Sequence, residues 1–203
     1  MKKIVTFSDT HSISLPHVKW PEGDILVCAG DFTNIGKLGD VYKFNKLLRE
    51  RNYKDKIFIA GNHDWYFYHQ ATHASSIVSN GIYLQDRAIT IQGIKFYGTP
   101  WQPIFNDWAF NADDEVRFRK FERIPDDTEV LITHAPPYGI LDKNSEDDRV
   151  GDMVLLKRVL NLQKLKVHIF GHIHESPGVF REGGIVFANV SWRPGRLVME
   201  LEI

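Results

Sequence analysis

Residue types that bind transition metals recur in five short clusters spread along the chain. The clusters are Asp9-Thr10-His11, Gly30-Asp31, Gly61-Asn62-His63-Asp64, Thr133-His134 and Gly171-His172-Ile173-His174. Residues two apart on an extended backbone project to the same side, so Asp9 pairs with His11 and His172 pairs with His174. Imidazole binds zinc, iron, manganese and nickel, and carboxylate and carbonyl oxygens add harder donors. Together these ligands suit two divalent metal ions.

Each cluster follows directly after a short apolar run rich in β-branched residues. The runs are residues 4–7, 25–29, 57–60, 130–132 and 167–170. Continuous apolar runs, as opposed to alternating ones, predict strands that are buried on both faces. Because the carboxyl ends of strands in an α/β sheet gather at one edge, we expect the clusters to converge there. Gly30, Gly61 and Gly171 allow a sharp turn or a close approach of the backbone at these strand ends.

Amphipathic segments between the runs predict four helices, and late strand pairs predict hairpins. The helical segments are residues 41–51, 69–79, 114–121 and 153–162. The predicted hairpins join residues 89–91 to 94–97 and residues 185–190 to 197–203. The resulting prediction is a mixed α/β fold with helices outside largely buried sheets, in a single domain of residues 1–203. The polar segment 106–127 is the expected excursion or lid.

The overall composition excludes several classes of protein. The 203 residues carry 25 Lys and Arg against 26 Asp and Glu, a formal net charge of -1, which argues against coating a long nucleic acid. Cys28 is the single cysteine, so no intrachain disulfide forms, and its apolar surroundings predict a buried thiol. No apolar stretch approaches the ~20 residues that span a membrane, and the run after Lys2-Lys3 is too short for a signal peptide. We therefore expect a cytoplasmic protein without a membrane partner, and we make no prediction of its oligomeric state.

The five clusters, in this order, resemble the motif set of the calcineurin-like metallophosphoesterases. The resemblance extends over nearly the whole chain. Segments 97–103, 133–139 and 170–175 are similar to the small metallophosphoesterase-domain proteins of animals and their bacterial relatives, which are regarded as phosphodiesterases. Some members of that group lack a residue of the closing His-x-His pair. His172 is present here, so the resemblance implies a complete site.

The resemblance implies both a fold and a metal centre. The fold would be a four-layer α/β/β/α sandwich of two mixed sheets flanked by helices. Asp9, His11 and His174 would bind one metal, Asn62, His134 and His172 would bind the other, and Asp31 would bridge them. Manganese is the favoured ion, and iron and zinc also accept this donor set. The two ions would activate a bridging hydroxide for in-line attack on phosphorus.

His63 is free to act as a general acid because the matched motif does not use it as a metal ligand. Asp64, the next residue, is the expected partner that orients the His63 ring. For substrate binding we expect contributions from Asn62, Trp101 and Tyr138. The aromatic residues Trp101 and Tyr138 would stack on a base at the border of the pocket.

The leading hypothesis is therefore a metal-dependent phosphodiesterase that hydrolyses a small, nucleotide-like diester such as a cyclic nucleotide. No arginine lies within the five clusters, whereas a monoester dianion is usually bound by additional fixed cations such as arginines. Arg193 and Arg196 could still reach the site. Two alternatives stay open at this point: a phosphomonoesterase or pyrophosphohydrolase, and a non-catalytic binding scaffold that kept the fold.

Overall fold

The five clusters follow parallel strands, so they lie at matching edges of the sheets. The computed structural model describes residues 1–13, 15, 18–192 and 198–203. The helices are α1 (Leu38–Arg49), α2 (Trp65–Ile77), α3 (Asp114–Phe121) and α4 (Met153–Val159). The strands are β1 (Lys3–Phe7), β2 (Ile25–Ala29), β3 (Asp55–Ile59), β4 (Ile82–Tyr83), β5 (Arg87–Ile91), β6 (Ile94–Thr99), β7 (Gln102–Pro103), β8 (Asn111–Ala112), β9 (Val130–Thr133), β10 (Val167–Phe170), β11 (Gly178–Glu182), β12 (Ile185–Asn189) and β13 (Met199–Glu202).

The strands form two large mixed sheets. The first has the order β13-β1-β2-β3-β4, in which β1, β2, β3 and β4 run parallel and β13 is antiparallel to β1. The second has the order β11-β12-β10-β9-β6-β5, in which β12, β10, β9 and β6 run parallel. The strands β7 and β8 form a small separate pair. The clusters after β1, β2 and β3 therefore lie at one edge of the first sheet, and those after β9 and β10 lie at the matching edge of the second.

Three apolar clusters establish the layer order. Alternate residues of both sheets, such as Val27 in β2 and Ile132 in β9, pack together as the core between the sheets. The opposite face of the first sheet packs against α1 and α2 through residues such as Phe58 and Phe44. The outer face of the second sheet packs against α3 and α4, where Leu131 meets Leu155. The predicted four-layer α/β/β/α sandwich is thus confirmed.

The five predicted strands all form, and their burial agrees with the prediction. Every residue of β2, β9 and β10 is buried, and Cys28 of β2 is a buried free thiol. Helix α3 has the predicted bounds, whereas α4 ends three residues earlier than predicted. Helix α2 begins at Trp65, four residues before the prediction, because the aromatic run that opens it has a low helix propensity and gives no sequence signal.

One predicted hairpin is wrong. The strands β5 and β6 pair antiparallel as expected, but β12 pairs with β11 and not with the C-terminal strand. The turn between β11 and β12 is Gly183-Gly184, with φ values of 58° and 81°, a geometry that glycine adopts without strain. The C-terminal strand β13 instead joins the other sheet beside β1. Its predicted first residue, Leu197, lies outside the described residues, as do Arg193 and Arg196.

None of the helices formed by the described residues has the length and apolar character needed to cross a bilayer.

Candidate metal centre

The first group of candidate ligands joins the ends of β1 and β10. Asp9 and His11 follow β1, and His174 follows β10. The Nε2 atoms of His11 and His174 are 3.3 Å apart, and Nε2 of His174 lies 3.5 Å from Oδ1 of Asp9. One donor atom from each of the three residues lies within 4.8 Å of the others. The three side chains are close enough to bind a single ion.

The second group joins the ends of β2, β3, β9 and β10. Nε2 of His134 lies 3.2 Å from Oδ2 of Asp31 and 2.9 Å from Oδ1 of Asn62. Donor atoms of Asp31, His134 and His172 lie within 4.8 Å of one another. This group also offers enough donors for one ion.

Asp31 lies between the two groups. Its carboxylate is within 4.8 Å of donor atoms of His134 and His172, and it also forms a cluster of the same size with His11 and His63. It therefore neighbours a candidate ligand from each group. This position is the one that a bridging carboxylate needs, and the bridging role itself stays a prediction.

Four candidate ligands have left-handed backbone conformations. The φ values are 57° for Asp9, 44° for His11, 52° for Asp31 and 69° for His172. Non-glycine residues rarely adopt this region, and each such residue costs about 1–3 kcal/mol, so it persists only where the surroundings fix it. Strained backbone therefore occurs where these strands end and the candidate ligands begin, as is typical of functional sites.

Two glycines are required by the close approach of ligand side chains. A Cβ on Gly171 would lie 2.3 Å from Oδ2 of Asp9, and a Cβ on Gly61 would lie 2.3 Å from Oδ1 of Asp31. Both distances are too short for any side chain. The role predicted for these glycines, close backbone approach at the strand ends, is confirmed.

The two buried carboxylates are ionised at neutral pH. Burial by itself raises the pKa of Asp9, but its hydrogen bond with His174 and the charges of His134 and His174 hold that pKa below the usual range. Burial also raises the pKa of Asp31, and the charge and hydrogen bond of His134 reverse the shift, so the net pKa is lowered. Among the described residues only histidines form ion pairs with these two carboxylates. Divalent cations would compensate this buried negative charge.

The histidine rings are prepared as ligands. Nδ1–H of His134 donates to the carbonyl of Ala29 at 2.9 Å, which directs Nε2 toward Asp31 and Asn62. Burial, followed by the charge of His134, lowers the pKa of His172 to about 4, so that ring is neutral at pH 7. Nδ1 of His11 is buried and has no hydrogen-bond partner within the described part of the chain. Burial by itself lowers the pKa of His134, but the charge of Asp31 raises it to about 9, so this ring would release a proton when it binds a metal. Oxygen and imidazole donors in this arrangement fit divalent transition metals.

His63 is fixed at the mouth of the site. Its Nδ1 bonds the backbone carbonyl of Asn34 at 2.5 Å, and its backbone N–H donates to Oδ1 of Asp31 at 2.8 Å. Its Nε2 then lies 4.0 Å from Oδ2 of Asp31. The ring packs on Trp108, with 4.1 Å between ring centroids. The ring is only partly buried, so Nε2 can meet a molecule bound in the cleft.

Asp64 does not orient His63 as predicted. Its Oδ2 accepts hydrogen bonds from the backbone amides of Asp31 at 2.9 Å and Gly61 at 2.8 Å. Its Oδ1 accepts from the amide and the hydroxyl of Thr33 at 2.9 and 2.7 Å. The carboxylate is fully buried and turned into the loops because those amides have no strand partner. Asp64 therefore holds the loop of Asp31, and the Asn34 carbonyl orients His63.

The predicted stacking residues lie elsewhere. The indole of Trp101 donates to Asp86, and Nζ of Lys120 sits 4.2 Å from the centre of its ring. Tyr138 is half-exposed in the loop after β9. Neither aromatic residue lines the cleft over the candidate ligands.

The cleft over the candidate ligands has a volume of about 420 Å³. Its lining residues are His11, Asp31, Asn34, Asn62, His63, Phe105, Trp108, His172 and His174. Sequence reasoning missed Asn34, Phe105 and Trp108. Asn34 had a usable signal, because it is polar and follows Asp31 in the same loop. Phe105 lies just before the polar segment 106–127 that was expected to form an excursion, and Trp108 lies within it, but nothing in the sequence there indicated which residues face the site.

The chain is similar to one family model and to several known proteins. A sequence model of the calcineurin-like phosphoesterases matches residues 2–176. The chain is 38% identical over 214 residues to metallophosphoesterase domain-containing protein 1 of Homo sapiens, covering 93% of this chain and 65% of that protein. It is also 38% identical over 203 residues to a UPF0046 protein of Caenorhabditis elegans, covering 93% of this chain and 69% of that protein. The chain thus spans about 65% of the length of the human relative.

A solved structure from Thermus thermophilus has a similar fold. It matches with a TM-score of 0.66 at 12% sequence identity, and the match covers 93% of this chain and 88% of the other.

Proposed function

This chain belongs to the calcineurin-like phosphoesterase family, and on that premise we propose that it is a dinuclear-metal-dependent phosphodiesterase acting on small diesters. One observation carries the proposal. Asp31 lies within 4.8 Å of donor atoms of His134 and His172 on one side and of His11 on the other, and the ring of His63 lies close to Asp31 and His11 at the mouth of the cleft. Two adjacent metal ions can activate water and stabilise the charge that develops on the phosphoryl group. A neighbouring proton donor can protonate the leaving oxygen, so this arrangement suits hydrolysis of a phosphate ester.

The proposed ligands follow the two groups. Asp9, His11 and His174 would bind one ion, and Asn62, His134 and His172 would bind the other, with Asp31 shared. When bound, divalent ions supply Lewis-acid polarisation of the phosphoryl group and lower the pKa of water. The buried carboxylates and the neutral ring of His172 favour this assignment.

His63 is the proposed general acid. Since Nδ1–H of His63 donates to the carbonyl of Asn34, Nε2 is the ring nitrogen that can face the leaving oxygen, and the doubly protonated ring would give its Nε2 proton to that oxygen. The aromatic packing on Trp108 and the backbone bond to Asp31 restrict its motion. A donor fixed in this way loses little entropy when the ester binds.

A preference for diesters over monoesters is part of the proposal. Of the described residues that line the cleft, none is a lysine or an arginine. A monoester dianion usually receives additional fixed cations, whereas a diester carries a single charge. Small diesters such as 2′,3′- or 3′,5′-cyclic nucleotides are therefore the substrates to test first.

The test compares kcat/KM for matched substrates under one metal condition. Manganese-loaded protein is assayed on bis-4-nitrophenyl phosphate, 4-nitrophenyl phosphate and the two kinds of cyclic nucleotide. An Asp31→Asn preparation purified in parallel controls for contaminating phosphatases. We expect the diesters to be hydrolysed with the higher kcat/KM and the variant to be inactive.

Two results would contradict the proposal. A higher kcat/KM on the monoester would favour a phosphomonoesterase. Failure of the metal-loaded protein to hydrolyse any of the four substrates would favour a binding scaffold.

A further inference from the structure

Phe105 and Trp108 form an aromatic wall beside the candidate metal ligands. Both line the cleft, and Phe105 is 58% exposed. Apolar side chains grouped at the edge of a polar cleft are typical of a surface that contacts a ligand.

The loop that carries the wall is held in place. The side-chain amide of Asn111 donates to the carbonyls of Phe105 and Asn106 at 3.1 and 3.0 Å. Oδ1 of Asn111 accepts from the side chain of the fully buried Gln102 at 3.0 Å. The amide of Ala109 donates to the carbonyl of Asn62, itself a candidate ligand, at 3.2 Å. The backbone that carries Phe105 is therefore held beside the metal centre before any ligand binds, which lowers the entropic cost of binding.

The wall adjoins the side of the cleft from which a leaving group would depart. Trp108 packs on the ring of His63 at a tilt of 32°. Under the proposed function His63 protonates the leaving oxygen, so the atoms attached to that oxygen lie near Trp108, and Phe105 lines the same cleft. A flat ring on the leaving group could contact the wall while its phosphate stays at the metal centre.

We propose that Phe105 and Trp108 bind a planar aromatic ring carried by the leaving group of the ester. This inference rests on the proposed function for the placement of the phosphate. The preferred substrates are then esters in which an aromatic ring lies close to the scissile bond. Aromatic rings that stack or meet edge to face gain binding energy beyond what their buried area provides. The wall should therefore bind an aromatic ring more tightly than an aliphatic group of similar size.

The test measures binding, so that it does not depend on turnover. Calorimetry with manganese-loaded protein compares benzylphosphonate with methylphosphonate, which differ by the ring. We expect benzylphosphonate to bind about 10-fold more tightly to the native protein, and we expect Phe105→Leu to remove most of that ratio. Phe105→Tyr keeps the ring and should keep the ratio. Phe118→Leu is the matched control, because Phe118 on α3 is 56% exposed and does not line the cleft.

A kinetic comparison separates this inference from the proposed function. Alkyl aryl and dialkyl phosphate diesters with leaving groups of matched pKa are compared, and Phe105→Leu should lower kcat/KM for the aryl ester alone. If the phosphonates bind as expected but no ester is hydrolysed, the proposed function is wrong, while the inference that the aromatic wall binds a ring is supported. Three results would overturn the inference that the aromatic wall binds a ring. The native protein could bind the two phosphonates equally well, it could bind neither, or Phe105→Leu could leave the affinity ratio unchanged.

Discussion

The carboxylate of Asp64 accepts a hydrogen bond from the backbone amide of Asp31 at 2.9 Å, although Asp64 adjoins His63 in the sequence. The same oxygen accepts from the amide of Gly61, so one buried side chain ties the loop after β2 to the loop after β3. Asp31 is held with φ 52° in this arrangement. Asp64 thus acts on the site by fixing the backbone that presents Asp31.

Asp64→Asn should therefore damage the scaffold of the site. Either orientation of the amide turns an NH2 group toward backbone N–H donors, which leaves buried groups unpaired at a cost of about 1–3 kcal/mol. Urea denaturation should show this loss, and metal affinity should fall with it. Activity should decrease equally for esters with good and poor leaving groups. Asp107→Asn, at an exposed position in the cleft loop, should change none of these values. A loss confined to poor leaving groups would restore Asp64 to a direct role in proton transfer.

His63→Ala should abolish efficient turnover and leave the metal content unchanged. Loss of a general acid costs about 10²–10⁴-fold in rate. The loss should shrink for nitrophenyl esters, whose leaving oxygens need little protonation. His69→Ala, which changes an exposed histidine on α2, serves as the control. Loss of bound metal in His63→Ala would instead identify His63 as a ligand, since its ring also lies within reach of Asp31 and His11.

Gly171→Ala should weaken metal binding although Gly171 is not itself a candidate ligand. The added Cβ would lie 2.2 Å from Oγ of Ser8 and 2.3 Å from Oδ2 of Asp9, so Asp9 must move. Gly39→Ala is the matched control, because its Cβ meets nothing within 4 Å and it lies in α1, where alanine is favoured by up to about 1 kcal/mol. Metal titration of both variants checks the prediction. An unchanged affinity in Gly171→Ala would remove Asp9 from the ligand set.

The stability of the protein should depend on pH through His168. Burial lowers the pKa of His168 to about 3, and its Nε2 bonds the hydroxyl of Thr133 at 2.9 Å. In the unfolded chain His168 takes up a proton near pH 6.5, whereas in the folded chain it stays neutral down to about pH 3. The contribution of His168 to stability is therefore fully present above pH 6.5. It is lost as the pH falls toward about 3.

The variant His168→Gln isolates this effect. Glutamine keeps a donor for Thr133 but does not titrate. Between about pH 7.5 and pH 5, the free energy of unfolding should fall by about 2 kcal/mol more in the native protein than in His168→Gln. Denaturant titrations at the two pH values give the comparison, and identical pH dependence in the two proteins would refute it.

The candidate ligands could be predicted from the sequence because each follows a strand that the sequence marks clearly. The run that ends at Ala29 is typical of a buried strand, which places Asp31 at the carboxyl end of that strand. The family resemblance implied the four layers, which the structure confirms, and it implied the ligand groups, whose metal binding stays a prediction.

Loop contacts could not be predicted in the same way. Asp64 adjoins His63 along the chain, yet its side chain turns toward Asp31 because the unpaired amides there need an acceptor. Trp101 is no less aromatic than Trp108, but Asp86 and Lys120 hold it away from the cleft. The direction of these side chains depends on which groups lie opposite them in neighbouring loops. Local sequence patterns do not show which loops lie next to each other.

Metal stoichiometry measured together with activity tests the central claim most directly. Metal-free protein is titrated with manganese while bound metal and diester hydrolysis are followed, with Asp107→Asn as the control and Asp31→Asn as the disrupted site. We predict two ions per chain, activity that appears with occupancy of both sites, and loss of both ions in Asp31→Asn because that carboxylate neighbours both ligand groups. Full activity with one ion or fewer per chain would contradict the dinuclear centre.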